Sequence, residues 1–244
     1  MLVKDWMSEP VITLDENTSI IKALQVIKEH KIRRLPITRG GKLVGIVTDR
    51  DLKEVAPSKV SVMELHEQYY LLSELKLKDI MTKDPITVYP DDTVEYAAVL
   101  MLENKISGLP VIDRERRVVG IITQTDIFKL FVKITGVYHS PEQLGLIINS
   151  VEDLSSLISL FVKHGITIYS ILTWKEEMAF PLEGEGWQAL DEKEARYVFV
   201  RFSKTEPKVL ESLLSELKEK FSLLYHKVED IHQLPRKREA LEEE

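Results

Sequence analysis

Apolar positions along the chain fall into two rhythms, and the order of those rhythms predicts the elements. Ile12-Thr13-Leu14 is a short strand-like run; Asn17, Thr18 and Ser19 then offer helix caps before Ile20, Ile21, Leu24 and Ile27 at helical spacing. That spacing predicts a helix from about Ser19 to His30. The stretches 32–38 and 43–47 are rich in β-formers around Gly40-Gly41, which predicts two strands and a turn, and a second helix is expected from Asp49. The same succession returns downstream, with a strand at 86–88, a helix at about 93–104, strands at 108–112 and 118–122, and a helix at about 124–134. Beyond a loop-like break at 136–141 the pattern changes. A strand is expected at 144–149, and Leu154, Leu157, Ile158, Phe161 and Val162 form a helical face that stops at Gly165. Strands at 166–174 and 197–202, a helix carrying Val209, Leu213, Leu214 and Leu217, and a strand at 223–228 complete a βαββαβ order.

The first two successions are a duplication. At an offset of 74, Lys4, Asp5, Met7, Ile12, Thr13, Ala23, Glu29, Lys31, Ile32, Leu35 and Pro36 recur as the same residue. From Val44/Val119 the offset is 75, and the extra residue is expected in a turn at 113–117. Between the copies, Val62, Leu65, Tyr69, Leu72 and Leu75 at spacings of three and four predict a connecting helix. The domains expected are residues 1–59, a linker helix at 60–76, residues 77–135, a second domain at 142–230, and a charged, solvated tail at 231–244.

Composition narrows the chemistry. Lys and Arg number 33 against 40 Asp and Glu, a net charge of −7, which offers no basic field for nucleic acid. Cysteine is absent, so disulfides, thiolate metal sites and cysteine nucleophiles are excluded, and a cytoplasmic location is expected. No apolar run approaches the ~18 residues of a membrane span. The six histidines form no HxxxH pair, and no GxSxG, Walker or GxGxxG motif is present. Neither a metal site nor an enzymatic activity is expected.

Chemistry concentrates in the most closely repeated stretch, Gly45-Ile46-Val47-Thr48-Asp49-Arg50-Asp51 and Gly120-Ile121-Ile122-Thr123-Gln124-Thr125-Asp126. Each Thr is expected to end a strand and open a helix, where its hydroxyl and free backbone N–H groups suit a phosphate. Asp51 and Asp126, one turn later, carry carboxylates able to accept from ribose hydroxyls. The same Thr-x-x-Asp spacing also makes a helix cap that needs no ligand. Arg34, beside Leu35-Pro36, is a candidate phosphate partner, and the second copy has Ser107-Gly108 in place of Arg33-Arg34, so the two clefts are expected to differ.

The doubled order, an early Met, a central Leu-Pro-Ile or Leu-Pro-Val, and a final Gly-h-h-Thr-x-x-Asp (h, apolar), resembles a pair of CBS domains, the Bateman module. The resemblance implies clefts that bind AMP, ADP, ATP or S-adenosylmethionine, with no cofactor required. It further implies that Thr13 and Thr87 lie against the base, with Pro36 and Pro110 in apolar walls. The βαββαβ domain, with His164-Gly165-Ile166-Thr167-Ile168, resembles an ACT domain, so the fold class expected is α+β, a CBS pair followed by a ferredoxin-like, ACT-like domain. The ACT ligand turn, Asp-x-x-Gly-x-Leu, here reads Asn149-Ser150-Val151-Glu152-Asp153-Leu154, with Glu152 at the glycine. Pairing between subunits is therefore expected of that domain over amino-acid binding. The whole order is similar to the acetoin-utilisation protein B-like family. These resemblances together imply a regulatory sensor of an adenosyl small molecule, acting as a homodimer on an unidentified partner protein. The alternatives are an assembly module with vestigial clefts and an amino-acid-responsive ACT regulator.

Overall fold

The structure, a computed structural model, describes residues 1–55, 74–175 and 195–229. The chain divides into two compact units, Met1–Leu130 and Phe131–Glu244. The body of the linker helix, the insert that follows Lys175 and the charged tail lie outside the described residues.

The first unit holds both copies of the repeat. Copy one runs β1 (Leu14–Asp15), α1 (Ile20–His30), β2 (Arg34–Arg39), β3 (Lys42–Thr48) and α2 (Asp49–Val55). Copy two runs α3 (Leu77–Ile80), β4 (Thr82–Lys83), α4 (Val94–Glu103), β5 (Gly108–Ile112), β6 (Val118–Thr123) and α5 (Gln124–Ile134). Equivalent positions do equivalent work. Ser19 and Thr93 cap α1 and α4 by accepting from the amides of Lys22 and Tyr96, at 3.4 and 3.1 Å. Lys31 and Lys105 follow those helices in the left-handed region, at φ 52° and 53°. Ile20, Ala23 and Val26 are the buried face of α1, and Val94, Ala97 and Met101 that of α4, as helical spacing requires. Gly40 and Gly41 turn the first hairpin at φ 55° and 78°. In the second hairpin the extra residue sits where expected, and Asp113 Oδ1 accepts from the amides of Glu115 and Arg117.

One expected strand is reduced. Of 86–88 only Val88 pairs, in an isolated bridge to Val111, because the segment lies between Pro85 and Pro90, which have no N–H to extend a ladder.

The copies are interlocked by their opening segments. β4 of copy two pairs with β3 of copy one, Gly45 opposite Lys83 and Ile46 opposite Thr82. At the equivalent place Ser8 of copy one bridges to Ile121 in copy two's β6. Leu77 and Met81 belong to the core of copy one, and Val3 to that of copy two. The backbone repeats the exchange: the amides of Leu77 and Lys78 donate to Thr18 and Glu16 carbonyls, and those of Val3 and Lys4 to Asp92 and Pro90 carbonyls. The glycines of the repeated motif make this possible. A Cβ at Gly45 would lie 2.8 Å from Met81 Cγ, and one at Gly120 3.0 Å from Met7 Cγ.

The second unit contains β7 (Glu142–Ile148), α6 (Val151–Lys163), β8 (Ile168–Trp174), β9 (Arg196–Phe202), α7 (Pro207–Lys220) and β10 (Ser222–Val228). Its sheet is antiparallel throughout, in the order β10-β7-β9-β8. Alternation along β7 and β9 sends Leu144, Leu146, Ile148, Val198, Val200 and Phe202 to one side, where they pack with Leu157, Phe161, Leu213 and Leu217 of the helices. Ser150 and Asp153 form a reciprocal capping box at the start of α6, and Pro207 opens α7. A smaller apolar cluster of Ile147, Ala195 and Tyr197 packs with Trp174, whose ring stacks on Tyr197 at 5.3 Å.

Candidate functional site: two cavities between the repeats

The Thr-x-x-Asp motif forms the cap in both copies. Asp51 Oδ2 accepts from Thr48 N at 2.7 Å and from Thr48 Oγ1 at 2.8 Å, and Thr48 Oγ1 accepts from the Asp51 amide at 3.3 Å. In copy two, Asp126 Oδ2 accepts from Thr123 N at 2.9 Å and Thr123 Oγ1 at 2.6 Å. The copies diverge in what remains. Asp51 is half-buried, and among the described residues the hydrogen bonds to its carboxylate all use Oδ2, leaving Oδ1 for another donor. Asp126 is only 6% exposed, and its Oδ1 lies 3.5 Å from Lys129 Nζ.

Two cavities open within the first unit. The larger, about 680 Å³, is walled by Ile46, Thr48 and Asp51 from copy one and by Pro85, Ile86, Ile106 and Pro110 from copy two. The smaller, about 330 Å³, is walled by Ser8, Ile32, Ile121 and Thr123. Arg33, Arg34 and Ser107 line both. The larger volume falls inside the ~300–1,000 Å³ range of small-molecule sites. Its lining sets an apolar wall against cations, Arg33, Arg34, Arg50 and Lys105, and carboxylates, Asp49, Asp51 and Asp84.

Arg34 lies half-buried between the cavities, with its Nη2 donating to Ser107 Oγ. Burial first, then the charge of Arg33, pull its pKa below the ordinary guanidinium value, while Asp49 and Asp126 pull it back up. It remains charged, since guanidinium is not deprotonated in proteins. No carboxylate is within ion-pairing distance of it among the described residues.

The expected residues separate into two groups. Thr48, Asp51, Arg34 and Pro110 meet at the larger cavity, and Thr123 and Arg34 meet at the smaller. Thr13, Pro36, Thr87 and Asp126 wall neither: Pro36 and Asp126 are buried, and Thr13 and Thr87 are half-buried outside the linings. Residues not anticipated as lining include Ser107, Gly108, Thr82 and Asp84, together with the cations Arg50 and Lys105. Thr82 and Asp84 arrive through the exchanged opening segment. For Gly108 a signal was present, because at an offset of 74 it stands opposite Arg34 in the repeat.

A family model for the CBS domain matches residues 3–58 and 77–133. A CBS domain-containing protein of Dictyostelium discoideum is 33% identical over 135 residues, spanning 55% of this chain and 93% of that protein. The chain belongs to the CBS-domain proteins. L-aspartate semialdehyde sulfurtransferase of Methanocaldococcus jannaschii is 42% identical over 132 residues, 53% of this chain but 23% of the relative, so the match spans about a quarter of that protein's length. Among solved structures, the CBS domain pair of protein MJ0100, in complex with 5′-methylthioadenosine and S-adenosyl-L-methionine, is 39% identical. It covers 54% of this chain and 95% of that one, with a TM-score of 0.45. These matches concern the repeated half of the chain. The CBS pair has the α+β fold expected for it, and among the described residues no cluster of His, Asp or Glu could hold a metal ion and no helix is long and apolar enough to cross a membrane.

Proposed function

We propose that the CBS pair is a non-catalytic sensor of an adenosine nucleotide, with the larger cavity as its principal site. One observation carries the reading. The cavity of about 680 Å³ joins Asp51, whose Oδ1 has no hydrogen bond among the described residues, to Arg34, whose guanidinium has no paired carboxylate among them, across an apolar wall of Ile46, Ile86, Ile106 and Pro110. A nucleotide presents the matching set: ribose hydroxyls to donate, a phosphate to accept from Arg34, and a flat base to lie on the apolar wall. Thr48 keeps the Asp51 carboxylate aimed by holding its other oxygen. In the smaller cavity Thr123 and the shared arginines remain, and Asp126 acts as the cap of α5. Occupancy biases the chain toward one of two states and so signals to a partner protein.

The second unit is assigned as a ferredoxin-like, ACT-like domain over residues 142–230. Its βαββαβ succession and the strand order β10-β7-β9-β8 support this. At its first strand-to-helix turn the Asp153 carboxylate accepts from the amides of Asn149 and Ser150. With Glu152 at the glycine position as well, pairing between two chains in a homodimer is favoured over amino-acid binding. The order of CBS pair and ACT-like domain supports the acetoin-utilisation protein B-like resemblance, and with it a role in acetoin metabolism in the cytoplasm. A second reading, an assembly module with vestigial clefts, is favoured by the Asp126 cap, which leaves the smaller cavity without a lining carboxylate.

Thermal melting of the whole chain with AMP, ADP, ATP, adenosine and S-adenosylmethionine separates the two readings. A ligand that binds only the folded state raises the melting point by mass action, about 2.7 kcal/mol at a hundred times its Kd. The sensor reading requires a rise with at least one adenosyl ligand. No rise with any of them leaves the assembly module.

A further inference from the structure

The repeat sets Arg34 opposite Gly108 and Arg33 opposite Ser107, and the fold brings these counterparts together between the two cavities. Arg34 reaches across to copy two and donates to Ser107. A Cβ on Gly108 would lie 2.9 Å from both Cδ and Nε of Arg34. Glycine at 108 therefore leaves open the path that the Arg34 side chain takes. Because Arg34 lines both cavities, neither owns its guanidinium. Asp49, next to the copy-one Thr, and Asp126, in the copy-two motif, both favour its charge from a distance, one from each copy. Its resting partner is the neutral Ser107 hydroxyl, which a phosphate displaces with a charge-assisted pair.

We infer that Arg34 is a single guanidinium shared between the two cavities, so that a phosphate bound in one withdraws it from the other and phosphate-bearing ligands bind with negative coupling. The inference rests on the adenosine-nucleotide reading above and adds the coupling to it. A planar fork pairs bidentately with one phosphate at a time. The second phosphate must bind without it, using the exposed Arg33 in the smaller cavity, or Arg33, Arg50 and Lys105 in the larger. Losing a hydrogen bond between charged groups weakens binding by about tenfold to a hundredfold. Uncharged adenosine makes no demand on Arg34, and its two steps differ only by the intrinsic difference between the cavities.

Calorimetric titration of the whole chain with AMP and with adenosine provides the test. The ratio between the two stepwise Kd values is expected to be about tenfold or more larger for AMP than for adenosine. Arg34→Gln is expected to bring the AMP ratio down to the adenosine ratio, whereas Arg33→Gln leaves it wide. A shared arginine is separated from one fixed to the larger cavity by Asp51→Asn, which weakens AMP in that cavity alone. If Arg34 is shared, the smaller cavity, no longer preceded by the larger, binds AMP about tenfold tighter than the second step of the unaltered chain; an unchanged weak site overturns the inference. The exchange Arg34→Gly with Gly108→Arg moves the guanidinium to the other copy and is expected to restore the wide AMP ratio; it serves equally should Arg34→Gln fold poorly. Equal ratios for AMP and adenosine overturn the coupling and leave the nucleotide reading standing. Absence of binding by either ligand overturns both.

Discussion

Asp51 has two tasks that one substitution can separate. Its Oδ2 holds Thr48 N at 2.7 Å and Thr48 Oγ1 at 2.8 Å, and the residue lines the larger cavity, where Oδ1 is assigned to the ribose. In Asp51→Asn an amide oxygen replaces Oδ2 and still accepts from Thr48, without the charge that makes such bonds roughly twice as strong. The cost to stability is about 0.5–1 kcal/mol. At ~2–4 °C per kcal/mol the melting point falls by only a few degrees. At the other oxygen the change is of kind, because an NH₂ donor now faces the ribose hydroxyls. A charged hydrogen bond of about 1.5–3 kcal/mol is lost, which raises the AMP Kd about tenfold to a hundredfold. Asp51→Ala gives the contrast: the half-buried Thr48 amide loses its partner and the cap is gone, so stability falls by about 2 kcal/mol as well. Calorimetry with AMP and thermal melting without ligand measure the two effects on the same samples. An Asp51→Asn protein that binds AMP as tightly as the parent would refute the placement of the ribose at Asp51. Asp126→Asn serves as the control from the other copy: buried outside both linings, it is expected to lower the melting point while leaving the tighter AMP step within about twofold.

Two further predictions concern the frame around the site. Gly45→Ala places a Cβ 2.8 Å from Met81 Cγ and 3.0 Å from the Thr82 carbonyl oxygen, so the exchanged segment must shift; overpacking of this kind costs about 1–3 kcal/mol, and a denaturant midpoint unchanged from the parent's would contradict the close approach. Arg39 donates to both oxygens of Glu16 and holds its carboxyl below the usual carboxylate range. A folded pKa lower than the unfolded one gives stability that is complete above the unfolded value and is lost as pH falls through the folded one. The melting point of Glu16→Gln is therefore expected to fall less steeply than the parent's below about pH 4.5, and identical slopes would remove Glu16 from the acid response.

Local sequence was enough to set the elements and their duplication. Helix faces such as Ile20, Ala23 and Val26, caps such as Ser19 and Thr93, and the turn at Gly40-Gly41 are written in residues a few places apart, where periodicity and backbone sterics act directly. The Thr-x-x-Asp motif was legible to the same depth: its spacing announced both a cap and a carboxylate, and the structure contains the cap. What local pattern does not encode is which distant partner a segment finds, such as Thr82 opposite Ile46 or Ser8 opposite Ile121, and that decided the site. The opening segment of each copy completes the sheet of the other, bringing Thr82, Asp84 and Ile86 to a cavity whose motif belongs to copy one. Burial is likewise a property of the assembled fold. It leaves Asp51 lining a cavity and seals the equivalent Asp126, although the two stand in the same motif. Arg34 and Gly108 are visible in the sequence as a mismatch between the copies. Only their meeting in space, where the Arg34 side chain passes over Gly108 to reach Ser107, turns that mismatch into a single charge serving two cavities.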